Sequence, residues 1–187
     1  ESVNKFVVIG NLGIGKSRTI EFVLWSLIKN RRTVVLESRI NGRVYRFTPA
    51  QEGYSVSSIL LRHFDPLECE ELNDEETFYL IDPKEPHVEP NKVPAITILF
   101  SSPQSTRYKE WGKENTFRFN MGVWSLSELL AVRKIIVPNK EFSVQHVIDR
   151  YREFGGIPRV VFGIDADVFL AMTARDSGIR SLTAEQV

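Results

Sequence analysis

Gly10-Asn11-Leu12-Gly13-Ile14-Gly15-Lys16-Ser17 decides the fold, because it completes the phosphate-loop pattern G-x-x-x-x-G-K-[ST], the Walker A motif. Just before it, Lys5-Phe6-Val7-Val8-Ile9 is a short apolar run that reads as a buried strand. Just after it, the segment from Arg18 to Asn30 carries Ile20, Val23, Leu24, Leu27 and Ile28 at helical spacing. The motif therefore stands between a strand and a helix, which is the context its chemistry requires. Glycines let the backbone curl so that successive N–H groups converge on an anion, and the helix N-terminus adds the positive end of its dipole. The expected ligand is ATP with Mg²⁺. Gly10, Asn11, Leu12, Gly13, Ile14 and Gly15 would wrap the phosphates, with Arg18 in the first helical turn. Lys16 would reach the β- and γ-phosphates, and the Ser17 hydroxyl would ligate the metal.

The bulk of the chain agrees with an ordinary globular α/β protein. Its 187 residues are 42% hydrophobic and 26% charged, enough for one sizeable core or a core with a small appendage. Its 24 basic and 24 acidic residues cancel, so no global field draws it to nucleic acid or to a membrane surface. The single Cys69 excludes an internal disulfide and suits a reducing, intracellular compartment. No run approaches a membrane span, and no signal peptide is visible. Both ends look cut, as expected for a domain excised from a longer protein.

Outward from the loop, Thr33-Val34-Val35-Leu36 reads as a β-branched strand ending at Glu37-Ser38. Asn41-Gly42 is a strong hairpin signal, returning Val44-Tyr45-Arg46-Phe47 antiparallel. Val56 to Leu61 with Phe64 suggests a short helix. The acidic residues Glu68, Glu70, Glu71, Asp74, Glu75 and Glu76 read as a solvated loop, since no spacing fixes a coordination shell. Thr77-Phe78-Tyr79-Leu80-Ile81-Asp82 is a run of apolar residues ending in an aspartate, the Walker B pattern. It would carry Asp82 to the sheet edge that holds the phosphate loop, where the carboxylate would hold Mg²⁺ or its water. Many ATPases follow this aspartate with a water-activating glutamate, whereas Pro83 follows Asp82. Glu37 and Glu85 are the alternative candidates for that role.

Pro83 to Val93 reads as a loop, Pro94 to Phe100 as a buried strand, Gln104 to Glu114 as a helix, and Thr116 to Met121 as the fifth core strand. Ser125 and Glu128 form a capping-box signature ahead of a helix carrying Leu129, Leu130, Val132 and Ile136, which Pro138 ends. Ser143 to Phe154 is amphipathic and stops at Gly155-Gly156-Ile157-Pro158-Arg159, and Asp165 to Arg175 reads as a last helix. The expected architecture is an α/β P-loop NTPase. A mostly parallel five-stranded core sheet flanked by helices would occupy residues 1–138, and a helical lid residues 139–187.

The order of these elements resembles the additional-strand ATPases, in their AAA-like and signal-transducing branch. That resemblance implies that the final helices form a lid over the nucleotide, one of them begun by the Gly-Gly-x-Pro segment, with Arg159 as the candidate arginine that senses the γ-phosphate. It also implies a polar sensor at the end of the strand before Ser101-Ser102-Pro103, for which Ser101 is the candidate. Further stretches narrow the likeness. Gly13-Ile14-Gly15-Lys16-Ser17, Arg32-Thr33-Val34-Val35-Leu36, Ser101-Ser102-Pro103 with Tyr108-Lys109-Glu110, and Val123-Trp124-Ser125-Leu126-Ser127-Glu128-Leu129 occur in that order. Arg150-Tyr151-Arg152-Glu153-Phe154-Gly155-Gly156-Ile157-Pro158-Arg159 closes the series. Together they resemble the NTPase domain shared by Crinkler effectors and trypanosomatid retrotransposon hot spot proteins, over residues 5 to 172. That likeness implies a nuclear site of action and a fused nuclease-like domain through which DNA would be contacted. The paired carboxylates and lysine of such a nuclease are not evident in this chain.

Three functions follow from these residues. An ATPase that drives a larger protein would use Lys16, Ser17 and Asp82 to stabilise charge on the transferring phosphoryl group. In it Glu37 or Glu85 would activate water, and Arg159 or Arg107 would complete the charge, by self-association if the arginine came from a second subunit. A nucleotide-dependent switch with little hydrolysis is the alternative that Pro83 favours. A phosphotransferase, suggested by Arg150, Arg152 and Arg159, is the third. A basic hairpin edge at Arg39, Arg43 and Arg46 would be the direct nucleic-acid contact.

Overall fold

The computed structural model describes residues 4–38, 41–82, 93–103, 116–136 and 142–163, together with 168, 170, 172 and 173. They form two compact units. The first comprises the chain up to Gly10 together with Lys16–Met121. The second comprises Asn11–Gly15 and the chain from Gly122 onward.

The first unit is built on a mixed seven-stranded sheet. Its strands are β1 (Lys5–Gly10), β2 (Val34–Ser38), β3 (Arg43–Pro49), β4 (Tyr54–Leu60), β5 (Phe78–Ile81), β6 (Ile96–Ser101) and β7 (Thr116–Met121), in the order β4-β3-β2-β5-β6-β1-β7. Helix α1 (Lys16–Lys29) links β1 to β2. From β2 to β7 every neighbouring pair is parallel, whereas β3 and β4 add antiparallel to the outer side of β2. The expected five-stranded sheet is thus enlarged to seven by a hairpin extension. The α/β class holds among the described residues.

Alternation along the strands divides the core between the two sheet faces. Val8, Val34, Leu80, Ile98 and Phe100 face α1 and pack against its Ile20, Val23, Leu24 and Leu27. Val7, Val35, Tyr79, Ile81 and Leu99 face the other way, against Cys69, Leu72, Leu61 and Phe64. The acidic stretch passes through three short 3-10 turns, Leu61–His63, Pro66–Glu68 and Glu70–Asn73. Its buried Cys69 and Leu72 anchor it to this second face while its carboxylates remain mostly outside.

The helix expected over Val56–Leu61 is instead strand β4. Serine and β-branched residues are indifferent helix formers, and a neighbouring strand supplies the partner that settles the matter. Gly53, at φ 77°, turns the chain, Ala50 N–H donates to Gly53 O (3.2 Å), and β4 pairs with β3 along its whole length. Tyr54 then donates its hydroxyl to Arg32 O (2.9 Å), tying β4 to the segment that follows α1.

The second unit contains α2 (Leu126–Ile136), α3 (Val144–Phe154) and the short α4 (Pro158–Val161) around buried Leu129, Val147 and Val161. The capping box forms as expected: Ser125 N–H and Oγ both donate to Glu128 Oε2 (2.7 Å each), and Glu128 N–H donates back to Ser125 Oγ (3.3 Å). Those bonds hold the Glu128 carboxyl below its ordinary value. Ser143 caps α3 by accepting from His146 N–H (3.0 Å), and Gly155, at φ 70°, ends it. The 121/122 division assigns α2 to the helical unit, although the expected boundary lay near residue 138. Glu85, Arg39, Arg107, the helix expected over 104–114 and most of the one over 165–175 lie outside the described residues.

Candidate functional site

The five parallel strands all end at one edge of the sheet, and β1 is where their order reverses. The connection after β1 runs toward β2, whereas the connection after β6, its neighbour, runs past β1 to β7. Loops that leave adjacent strands in opposite directions open a crevice, the usual ligand position in open α/β sheets. Gly10 ends β1 at that point, and Ser101 ends β6 directly beside it, in register with Ile9.

In the first unit, α1 begins at Lys16, so Lys16 and Ser17 occupy its first turn. Ser17 Oγ donates to Asp82 Oδ2 at 3.0 Å, joining residues 65 positions apart. Asp82 follows Ile81 at the end of β5 and shares the sheet face of Leu80, the one that α1 covers. The Walker A hydroxyl and the Walker B carboxylate are therefore side by side. Lys16 Nζ donates to Gly10 O (2.6 Å), so the ammonium folds back over its own loop.

Two further side chains mark this edge. Ser101 Oγ and Ser102 Oγ are buried without a hydrogen-bond partner. An unpartnered buried hydroxyl costs about 1–3 kcal/mol, so two consecutive ones at a strand end are unusual. Ser102 shares with Ser101 the position after an apolar strand run.

In the second unit lies the middle of the loop. Gly13 (φ 82°) and Gly15 (φ 105°) occupy backbone conformations that L side chains rarely adopt. Arg159 N–H donates to Gly13 O (3.3 Å), and a Cβ on Gly13 would come within 2.8 Å of the Arg159 Cβ. Arg159, separated from Gly13 by nearly the whole chain, is thus its immediate neighbour. Trp124 Nε1 donates to Ile14 O (2.9 Å), a contact that no sequence pattern announced. Leu12 is exposed and Ile14 buried. Arg18, in the first turn of α1, pairs its guanidinium with Glu21 on the helix surface (2.8 Å).

No protein-family model, curated protein or solved structure matches the chain.

Glu37 lies apart from the Ser17–Asp82 pair. Its register partner is Ile81, which puts its side chain on the opposite sheet face, where the Tyr79 hydroxyl donates to Glu37 Oε1. Burial pushes this carboxyl up from 4.5 to about 7. Tyr79, a core residue by sequence pattern, proves to be the partner that orients it.

Among the described residues no three His, Cys, Asp or Glu side chains converge as a metal cage. Mg²⁺ bound to nucleotide does not need one, since it takes one or two protein oxygens and completes its shell with phosphate and water. Ser17 and Asp82 are such a pair of oxygens. Together with Lys16 in the first turn of α1, these first-unit residues fit a magnesium-bound phosphate group. Among the described residues no helix is long and apolar enough to cross a membrane.

Proposed function

We propose that this chain is a P-loop NTPase domain that binds ATP with Mg²⁺ and hydrolyses it to drive or switch a larger protein. The observation that carries the proposal is the 3.0 Å contact between Ser17 and Asp82, which joins the Walker A and Walker B residues across 65 positions of sequence. Lys16 would leave Gly10 O for the phosphates, exchanging a neutral acceptor for an anionic one. Bound Mg²⁺ would supply Lewis-acid neutralisation of phosphate charge, held through Ser17 and Asp82. Ser101 and Ser102 would gain the partners they lack, and the Arg159 side chain starts beside Gly13 of the loop. The likeness to Crinkler and retrotransposon hot spot NTPase domains, a nuclear location and a fused DNA-contacting domain belong to this same proposal.

Slow hydrolysis, as in a nucleotide-dependent switch, is the second reading, and Glu37 favours it. A carboxyl on the far sheet face, held by Tyr79 and raised to about 7, is poorly placed to activate water beside Asp82.

The test is direct. Titration with ATP and Mg²⁺ is expected to show saturable binding that is lost in Lys16→Ala while the folded state persists. Absence of binding in the unaltered protein would sink the proposal. Phosphate release measured in the same samples separates the ATPase from the switch.

A further inference from the structure

The middle of the glycine-rich loop is held, within the second unit, by residues outside the motif. Trp124 Nε1–H holds the carbonyl of Ile14, and Arg159 N–H holds that of Gly13. In a trans peptide the carbonyl and the following N–H point in opposite directions. Fixing Ile14 C=O toward Trp124 therefore aims Gly15 N–H away from it, and fixing Gly13 C=O toward Arg159 does the same for Ile14 N–H. These are two of the amides that a phosphate loop must turn inward. Glycine supplies no restraint of its own, because it populates both signs of φ about equally. Gly13 and Gly15 at positive φ therefore need an outside anchor to stay arranged before a ligand arrives.

We infer that Trp124 is a positioning residue for phosphate binding: its indole N–H holds the Ile14–Gly15 peptide plane and so fixes the direction of the Gly15 amide. The inference rests on the nucleotide reading above and extends it to a side chain far outside the motif. Trp124 is itself fixed on several sides. Its own N–H donates to Gly156 O (2.8 Å), and its ring packs on the Leu129, Val147 and Val161 cluster. A Cβ on Gly156 would fall 1.7 Å from Trp124 O, so glycine is required there by close approach. The capping box begins at the next residue, Ser125, and holds the start of α2. An anchor this constrained can transmit its position to the loop, which a surface side chain could not.

Trp124→Phe keeps an aromatic ring and removes only the donor. In the 187-residue protein its thermal midpoint without ligand is expected to fall by only about 2–4 °C, because the Ile14 carbonyl loses one partner while the ring stays packed. Its affinity for ATP with Mg²⁺ is expected to fall about fivefold, the value of one net hydrogen bond. Inorganic pyrophosphate should lose the same factor, because the misdirected amide faces phosphate and not base. The indole ¹⁵N–H resonance of Trp124, assigned by replacing Trp25 and Trp111 in turn, should exchange slowly with solvent and shift when pyrophosphate is added. Equal affinity of Trp124→Phe and the unaltered protein for ATP would overturn the inference, as would a loss confined to ATP and absent for pyrophosphate. Should the variant not fold, an indole N–H that exchanges freely and ignores pyrophosphate in the unaltered protein overturns it equally. Failure of the unaltered protein to bind either ligand would strike the nucleotide reading itself, and so is distinguishable from failure of Trp124 alone.

Discussion

Replacing Glu37 by Gln tests both the energetics of the sheet and the identity of the water-activating group. The Glu37 carboxyl lies on the Val35–Tyr79 face, accepts from the Tyr79 hydroxyl, and is pushed by burial from 4.5 to about 7. At about 1.4 kcal/mol per unit, that rise is worth about 3 kcal/mol. The sign follows from proton counting. Between pH 4.5 and about 7 the folded chain holds a proton on Glu37 that the unfolded chain has released, so stability falls as pH rises. The contribution is complete below pH 4.5 and lost once pH passes about 7. Glutamine has no proton to lose, and its amide oxygen can still accept from Tyr79. Urea unfolding from pH 4.5 to 8 should therefore show Glu37→Gln gaining about 3 kcal/mol on the unaltered protein across that interval. Against a total stability of about 5–15 kcal/mol, that gain is readily measured. Parallel pH profiles for the two proteins would refute the burial account. Phosphate release at pH 8 supplies the second arm. Turnover is expected to survive in Glu37→Gln if the carboxyl is a core acid, and to vanish if it activates water.

Three further outcomes are expected. Gly13→Ala forces an L side chain to φ 82° and sets its Cβ 2.8 Å from the Arg159 Cβ. It should cost about 1–2 kcal/mol in urea unfolding and lower ATP affinity by about tenfold or more. Ser101→Ala removes a hydroxyl that is 2% exposed and has no partner. It should raise ligand-free stability by about 1 kcal/mol while slowing phosphate release, and a loss of ligand-free stability would mean that the hydroxyl is already satisfied. Asp82→Asn can keep the contact to Ser17 but removes the negative charge. The Mg²⁺ concentration for half-maximal turnover should rise by about tenfold, with metal-free nucleotide binding near its original level, as a magnesium titration will show.

Much of this site can be read locally. A glycine-rich run between an apolar strand and an amphipathic helix marks a turn whose backbone can take positive φ, and Lys16 and Ser17 do begin a helix. The capping box at Ser125 and Glu128 and the stop at Gly155 are likewise encoded within a few residues. Strand β4 is different. Tyr54 to Leu60 contains nothing that excludes a helix, and only pairing with β3 gives its backbone groups a strand's partners. Glu37 shows the same limit at the site. Its place at the end of a strand beside Asp82 is legible, but the face its carboxyl takes depends on register with Ile81 and on the Tyr79 hydroxyl.

What the amino-acid sequence determined by itself is the glycine-rich turn between a strand and a helix, and the carboxylate-ended strand that follows. Each rests on side-chain spacing and backbone freedom within a short stretch. Tertiary structure alone decided the long-range contacts within each unit. Asp82 came to Ser17, Arg159 to Gly13 and Trp124 to Ile14, while Glu37 was turned to the opposite face. Contacts across 65 to 146 positions depend on strand order and helix packing, which no short window of sequence contains.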